Sequence, residues 1–412
     1  MRDPLFFEEY ELPGGARLFH QHREMPWCGI VALVMSGHMH DPIGKEGTAH
    51  LLEHHVSSGR IGGLPPMSSE VLREWLADNR MMANLGKTSL YWTNYGGRAE
   101  NENVAALARF LTDLVFRPGL DGDLEHDREI VRAERVDGYD GRDDRIAEMV
   151  RRACYGGQRR FTATGLPRDE VLDTISRADI GAFHRRHYAS ANVRIVSIGG
   201  VGMDEMRRNL EALLPPQLPG QAKACPVEPL ALRPPDPREL RVPREDGRPA
   251  EMVSICMAWR KPIGRGRVRG AAADAVSALL HQRVRERLRA VYHIEACTSF
   301  EYDHVVFEIF TKTSADKVRL VREEIVRTMR DFEGIARVFR RQSVERERSG
   351  VYFDLTCGDI LESAVFQVGA FGRVTTHAQS RADERSVTET DVISYLGDLD
   401  PDEALTLIVE QQ

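Results

Sequence analysis

The five residues His50-Leu-Leu-Glu-His54 constrain this chain more than any other segment of it. Residues four apart project from the same face of a helix, so His50 and His54 can bring two imidazoles to one metal ion. Glu53 lies three residues after His50 and reaches the same side of the helix. The spacing therefore predicts a helix that carries two metal ligands, His50 and His54, together with a general base, Glu53.

The residues that precede this motif predict its structural setting. Residues 28–36 (CGIVALVMS) form an apolar, β-branched run that is typical of a buried strand. A turn at His40–Gly44 follows, and we expect the helix to begin near Glu46. A pair of histidines on a helix packed beside a strand is a rigid platform for a metal ion.

A catalytic zinc site needs a third protein ligand and one position that stays open. The acidic helical segment 124–137 supplies the candidates, which are Glu125, Asp127, Glu129 and Glu134. Most acids on such a helix simply form a solvated face. The pattern alone leaves the choice among these four residues open.

The chain here resembles the M16 metallopeptidases, the pitrilysin- and insulinase-like family that includes the mitochondrial processing peptidases. The resemblance covers residues 5–201. The family's G-x-A-H-x-x-E-H block matches Gly47–His54, and its E-R-E-R-x-x-V-x-x-E helix resembles Glu125–Glu134. The resemblance implies that Glu134 is the third zinc ligand and that Asp127 takes the place of a supporting acid close to the ligands.

The resemblance also implies a substrate-binding residue. Asn84 matches a family asparagine that helps to position substrate, although the family's N-A-x-T reads here as Asn84-Leu-Gly-Lys. The spacing between the second histidine and Glu134 is slightly longer than usual, and we expect the extra residues in the Gly/Pro-rich loop 59–67, where insertions cost little. Glu129 satisfies the usual spacing but not the helix register.

Three other residues near these motifs are predicted to be structural. His55 points about 100° away from His54 around the helix, so it is expected to support the fold rather than bind the metal ion. His187 and Tyr188, at the end of a predicted helix that leads into a strand, are expected to pack in the core.

The distribution of proline divides the chain into two halves. Residues 214–249 contain about half of the 20 prolines, a composition typical of a stiff linker. On either side a weak repeat of strand, turn and helix appears, with Asp41-Pro-Ile-Gly44 paralleled by Lys261-Pro-Ile-Gly264. A charged helix follows near the end of each half, around residues 125–136 and 337–348.

We therefore expect an α+β fold with two homologous α/β-sandwich-like halves, each a mixed, mainly antiparallel sheet with helices packed on it. The predicted boundaries are an N-terminal domain at 1–213, the linker at 214–249 and a C-terminal domain at 250–412. H-x-x-E-H occurs only in the first half.

The second half carries a further resemblance to the family. Arg285–Tyr292 (RERLRAVY) resembles the family's R-E-x-x-G-L-x-Y element, whose Arg and Tyr contact substrate near the scissile bond. Tyr292 can donate a hydrogen bond to an oxyanion, and Arg285 can hold a carbonyl or a carboxylate. Arg289 occupies the family's glycine position, so we expect a different turn there.

These residues predict a zinc-dependent endopeptidase, with Zn²⁺ held by His50, His54 and Glu134 and with Glu53 as the base. The substrate is expected to be a short or unfolded peptide that adds a strand to a sheet edge near Asn84, inside a closed chamber. General peptide degradation and dedicated removal of a leader peptide both remain open. The alternative is a non-catalytic peptide-binding or scaffold subunit, although such family members normally lose the ligands or the base.

Composition restricts the partners and the compartment. A net charge of -7 argues against nucleic acid but not against basic peptides. No apolar run approaches the ~20 residues of a membrane helix. The absence of a signal or transit pattern and the six scattered cysteines favour a cytoplasmic protein. Because both family motifs occur in one chain, a homodimer is the economical assembly, with a heterodimer containing a second M16-like subunit as the alternative.

Overall fold

The structure is a computed structural model. It describes residues 3, 5–65, 68–140, 149–150, 152–153, 165–216, 238–244, 247–262, 266–301, 304–349 and 356–410. Most of the predicted linker, residues 217–237 and 245–246, lies outside this range, as do residues 66–67 of the loop where an insertion was expected.

The described residues form strands and helices whose bounds are as follows. The strands are β1 (Glu8–Glu11), β2 (Arg17–His22), β3 (Trp27–Val34), β4 (Met81–Thr88), β5 (Thr93–Glu100), β6 (Val193–Gly199), β7 (Glu239–Val242), β8 (Met252–Pro262), β9 (Val291–Glu301), β10 (His304–Ser314) and β11 (Leu405–Glu410). The helices are α1 (Thr48–Ser58), α2 (Ser69–Asp78), α3 (Val104–Phe116), α4 (Leu124–Asp140), α5 (Asp169–Leu172), α6 (Arg177–His187), α7 (Met203–Glu211), α8 (Gly266–Leu280), α9 (Val318–Met329), α10 (Phe332–Ser349), α11 (Cys357–Phe371), α12 (His377–Arg385) and α13 (Glu389–Gly397). A π-helical segment, His281–Arg287, follows α8.

The apolar run predicted as a buried strand is β3, in the interior of a six-stranded sheet with the order β1-β2-β6-β3-β5-β4. Among the described strands of this sheet, only the β2–β6 pair is parallel. Alternate residues of β3 enter different cores: Ile30 packs among the helices, whereas Leu33 packs on the opposite face. Burial on both faces explains why the run has so few polar residues.

The chain divides into two units. The first consists of Met1–Gly141, Arg159–Pro226 and Asp354–His377, and the second of Arg142–Gln158, Val227–Phe353 and Ala378–Gln412. The boundaries predicted from the sequence, at 213 and 250, place Asp354–His377 in the second domain and Arg142–Gln158 in the first, whereas the structure groups each with the other unit.

Helix α11 lies in the segment Asp354–His377, which belongs to the first unit. It comes late in the chain, yet Ala364 and Val368 pack with Phe19, Leu33 and Val196 on the face of the first sheet opposite to the other helices. The first unit is thus completed by a helix from the region predicted as the C-terminal domain.

The second unit contains a five-stranded sheet with the order β7-β11-β8-β10-β9. Its β7–β11 pair is parallel and the other pairs are antiparallel. This arrangement repeats the β2-β6-β3-β5-β4 part of the first sheet. Strand β7 lies within residues 214–249, so part of the predicted linker is a sheet strand. The predicted α+β fold with two mixed sheets is confirmed, and none of the described helices has the length and apolarity to cross a membrane.

Candidate metal centre

The helix that carries the motif, α1, is fixed at its start by an acid from the preceding turn. The Asp41 carboxylate accepts hydrogen bonds from the backbone N–H groups of Gly47, at 2.6 Å, and of Ala49, at 2.7 Å. Burial raises the pKa of Asp41 to about 7, while these two backbone hydrogen bonds favour its charged form. Gly47 has a φ of 97°, which favours glycine, and α1 begins at Thr48, slightly later than predicted.

Three side chains converge beside α1. The Nε2 atom of His50 lies 3.0 Å from Oε2 of Glu134, and that of His54 lies 3.5 Å from Oε1 of Glu134. The two Nε2 atoms are 3.2 Å apart. The three ligand atoms all lie within 4.8 Å of one another. One metal ion can therefore be reached by all three, and two histidines with one glutamate are a donor set that suits catalytic zinc.

The second nitrogen of His50 is also fixed. Its Nδ1 atom lies 2.7 Å from the carbonyl oxygen of Gly165, which can only accept a hydrogen bond. Nδ1 therefore carries a proton, and in the neutral ring the lone pair is on Nε2, the atom that faces Glu134. Such a hydrogen bond to the far nitrogen is the usual way in which proteins orient a metal-binding histidine.

Proton affinities are shifted in the same cluster. Hydrogen bonds with His50 and His54 hold the pKa of Glu134 well below its usual range. Burial lowers the pKa of His50, but the hydrogen bond with Glu134 and the charge of Glu53 outweigh it, so that this pKa lies above 6.5. A proton thus takes part in holding the cluster together, and a cation can replace it.

The other three candidate ligands, Glu125, Asp127 and Glu129, do not join the histidines. Glu125 pairs with Arg128 and Arg132, and Glu129 is exposed. Asp127 is buried and lies 2.6 Å from Nδ1 of His55. Among the four candidates, the structure brings Glu134 to the two histidines.

His55 itself is fully buried, and its two nitrogens face Asp127 and the carbonyl oxygen of Leu120. Ser58 donates a second hydrogen bond to Asp127, at 2.9 Å. These bonds join α1 to α4, the two helices that carry the ligands. Asp127 therefore supports the helix pair and does not contact a ligand side chain directly.

The predicted base, Glu53, lies between α1 and the edge strand β4. Its side chain is 7% exposed, and Oε2 accepts a hydrogen bond from the Thr88 hydroxyl at 2.8 Å. Thr88 is not among the residues predicted from the sequence. The register of β4 against β5 shifts between Asn84 and Lys87, so a threonine that follows Lys87 reaches Glu53. Reading the N-A-x-T motif with one inserted residue would have found it.

The structure describes the backbone of Asn84. Its backbone lies in β4, opposite Gly96 of β5, and its side chain lies outside the described part of the chain. The predicted role of Asn84 in binding substrate stays a prediction.

The loop that carries Gly165 is attached to α4. Arg135, next to Glu134, donates to the carbonyl oxygen of Pro167 at 3.1 Å and to Asp169 at 3.0 Å. The same arginine fork thus connects the helix of one ligand to the loop that orients another ligand, His50. No sequence motif indicated this role for Arg135.

Arg285 and Tyr292 lie in the second unit. The Arg285 guanidinium is 5.3 Å from the centre of the Tyr292 ring and donates to His281 at 2.7 Å. Tyr292 is 86% exposed. Arg289 has a φ of 49°, so an arginine here adopts the backbone conformation that glycine prefers. The backbone at Arg289 thus keeps the positive φ expected of the family's glycine, and no different turn is seen in this angle.

Comparisons with known proteins find M16 peptidases and related zinc proteases. A sequence model described as the peptidase M16 inactive domain matches residues 174–335. An uncharacterized zinc protease of Rickettsia bellii is 21% identical over 347 residues, which cover 80% of this chain and 79% of that protein. A protease from Helicobacter pylori has the same fold, with a TM-score of 0.79, 15% identity and coverage of 98% of this chain and 99% of that one.

The chain is therefore similar to M16 peptidases in sequence and in fold. Another M16 relative, the human mitochondrial-processing peptidase subunit beta, is 24% identical over 200 residues, which span 47% of this chain and 39% of that protein. An M16 inactive domain from Pseudomonas fluorescens has a TM-score of 0.76 at 14% identity, with 98% of both chains covered. The segment that matches the inactive domain starts after Glu134 and includes Arg285 and Tyr292.

Proposed function

We propose that this M16-like protein is a zinc-dependent endopeptidase that hydrolyses short or unfolded peptides. The convergence of His50, His54 and Glu134 carries the proposal, because two imidazoles and a carboxylate rarely approach so closely without a shared ion or proton. A zinc ion held there would polarise the scissile carbonyl and acidify a water molecule.

Glu53 supplies the proton transfers. Its carboxylate takes a proton from water as the new C–O bond forms, and gives that proton to the amine nitrogen as the C–N bond breaks. The buried position of Glu53 beside α1 supports this role, since proton transfer requires a base held close to the reacting atoms.

Arg285 and Tyr292 are proposed to contact the substrate. The Tyr292 hydroxyl donates to the oxyanion that forms at the carbonyl, and Arg285 holds a neighbouring carbonyl or carboxylate. Their contact with each other and the high exposure of Tyr292 support a role in binding rather than in packing.

An extended peptide suits the edge strand β4. This strand ends the first sheet and lies next to α1, so a peptide paired with it would pass close to the motif. Backbone pairing favours unfolded segments, because folded proteins rarely offer a free strand. Similarity to a processing peptidase subunit makes removal of a leader peptide one specific form of this activity.

A non-catalytic scaffold is the second candidate, and the match to an inactive M16 domain favours it. However, that match spans residues 174–335 and leaves out all four residues of the proposed catalytic centre. The assembly is proposed to be a homodimer or a heterodimer with a second M16-like subunit. The molar mass of this chain, purified without any other subunit, tests this, because a homodimer has twice the mass of one chain.

The test compares the wild type with Glu53→Gln on a library of unstructured peptides. We expect both proteins to bind about one zinc ion and the variant to cleave about 10²- to 10⁴-fold more slowly. Glu129→Gln, which changes an exposed acid on α4, is the matched control. Equal rates for wild type and Glu53→Gln would refute the base, and a zinc-loaded wild type without cleavage would favour the scaffold.

A further inference from the structure

The carboxylate of Glu53 is anchored by one hydroxyl group. Thr88, the last residue of β4, donates to Oε2 of Glu53 at 2.8 Å. Glu53 is buried, and a buried carboxylate without a donor is costly. The Thr88 hydroxyl therefore both satisfies Oε2 and restricts the orientation of the side chain.

The proton of Thr88 is committed to Glu53. The other hydroxyl within reach, that of Thr93, lies 3.3 Å from Thr88 Oγ1. The Thr93 hydroxyl donates its own proton to the carbonyl oxygen of Ser36 at 3.0 Å. A carboxylate is a stronger acceptor than a hydroxyl, so the Thr88 proton points to Glu53.

Two buried tyrosines extend this arrangement. The Tyr188 hydroxyl hydrogen-bonds to Thr93 and lies 2.8 Å from that of Tyr95. Burial raises the pKa of both phenols, so they stay neutral. Tyr188, which the sequence suggested was a packing residue, thus belongs to a hydroxyl network that fixes Thr93 and, through it, the surroundings of Thr88.

The opposite side of the Glu53 carboxylate faces backbone. A Cβ atom on Gly86 would lie 2.5 Å from Oε1 of Glu53, so a side chain at this position would displace the carboxylate. Glu53 is therefore held between the Thr88 hydroxyl on one oxygen and the Gly86 backbone beside the other.

We propose that Thr88 is a positioning residue for Glu53. Its hydroxyl occupies Oε2, so that Oε1 takes the proton from water and returns it to the leaving amine. The inference rests on the proposed peptidase activity. It predicts that the hydroxyl of residue 88, rather than the volume of its side chain, determines the turnover number.

The experiment compares Thr88→Val, which keeps the shape and removes the hydroxyl, with Thr88→Ser, which keeps the hydroxyl. We expect Thr88→Val to lower kcat about 10- to 100-fold with KM and zinc affinity unchanged, and Thr88→Ser to stay within about threefold of wild type. Thr112→Val, which removes a buried hydroxyl from α3, is the control for a general loss of packing and is expected to leave kcat unchanged.

Crystal structures of the zinc-loaded wild type, Thr88→Val and Thr88→Ser give a readout that does not depend on activity. We expect the Glu53 carboxylate to move only in Thr88→Val. If kcat and the carboxylate position are unchanged in Thr88→Val while the wild type cleaves peptides, the inference fails and the function stands. If the wild type does not cleave but the carboxylate still moves, the function fails and the positioning role stands.

Discussion

The two units share a strand arrangement but differ in the residues between their central strand and their edge strand. In the first unit, α1 connects β3 to β4 and carries His50, Glu53 and His54. Counting along the sequence from the two Pro-Ile-Gly segments, the matching positions in the second unit are Gly270, Ala273 and Asp274 on α8. The fold thus provides a platform twice, and among the described residues only the first copy brings three candidate metal ligands together.

The second unit uses the same stretch differently. Helix α8 continues into the π-helical segment His281–Arg287, and the chain then enters edge strand β9. π-Helical turns are uncommon and often occur at functional sites. Here the segment carries Arg285, and a cleft of about 840 Å³ lined in part by Arg289 and Tyr292 opens beside it. In the function proposed above, the first unit supplies the metal ligands and the second unit supplies substrate contacts.

The largest expected effect removes the metal centre from the first unit. Glu134→Ala removes a direct ligand, so we expect it to weaken zinc binding by more than about 100-fold. Loss of a residue that only hydrogen-bonds to a ligand typically costs about 10- to 100-fold. Glu129→Ala, on the exposed face of the same helix, is expected to keep full occupancy. Titration with a competing chelator measures both, and the reverse result would assign the third ligand to Glu129.

The next effect tests whether the second unit takes part. Tyr292→Phe is expected to lower kcat by about 100-fold with zinc content unchanged, because it removes a donor to the oxyanion. Tyr395→Phe removes the same hydroxyl group from a half-buried tyrosine that packs on the core of that unit, and it serves as the control. If peptide cleavage by Tyr292→Phe equals that of wild type, the Tyr292 hydroxyl takes no part in catalysis.

Acid is expected to release zinc from the first unit. The pKa of His50 is raised, so in the zinc-free protein its contact with Glu134 is stabilising at low pH and is lost as the pH rises through that pKa. Zinc binding has the opposite dependence, since the ion must displace this proton. Below the pKa of His50 we expect the zinc Kd to rise by about tenfold per pH unit. A Kd that stays constant between about pH 5 and pH 8 would contradict this assignment.

The smallest effect concerns the loop that orients His50. Arg135→Lys keeps the charge beside Glu134 but loses the two-pronged contact with Pro167 and Asp169. We expect zinc binding to weaken by less than about tenfold, since Arg135 does not contact His50 and only holds the loop whose Gly165 hydrogen-bonds to His50. Arg117→Lys, which pairs with Asp113 and donates to the carbonyl oxygen of Leu213, is the control and is expected to leave zinc binding unchanged.

The sequence was sufficient where local periodicity determines structure. The buried strand β3, the helix α1 and the helix α4 follow from apolar runs and from helical spacing, and the two mixed sheets follow from the repeated strand-turn-helix pattern. Spacing also placed His50, Glu53 and His54 on one helix. The choice of Glu134 needed the family resemblance, because the direction of an acid on α4 depends on how α4 packs against α1.

Other features depend on tertiary pairing and left little local signal. Thr88 reaches Glu53 only because the register of β4 shifts, and Gly165 reaches His50 through a loop far along the chain. Strand β7 lies in a proline-rich stretch that reads as linker, and its strand character comes from pairing with β11. Sequence position likewise gives no reason to expect α11 on the first sheet.

The late position of α11 has a consequence for biosynthesis. A nascent chain whose first 216 residues have left the ribosome still exposes Phe19, Leu33 and Val196, since the helix that covers them has not been translated. These apolar side chains remain accessible to chaperones until residues 357–371 emerge. A polypeptide that stops before Cys357 is accordingly expected to be captured by chaperones or to precipitate, even though its ligands and base are all present.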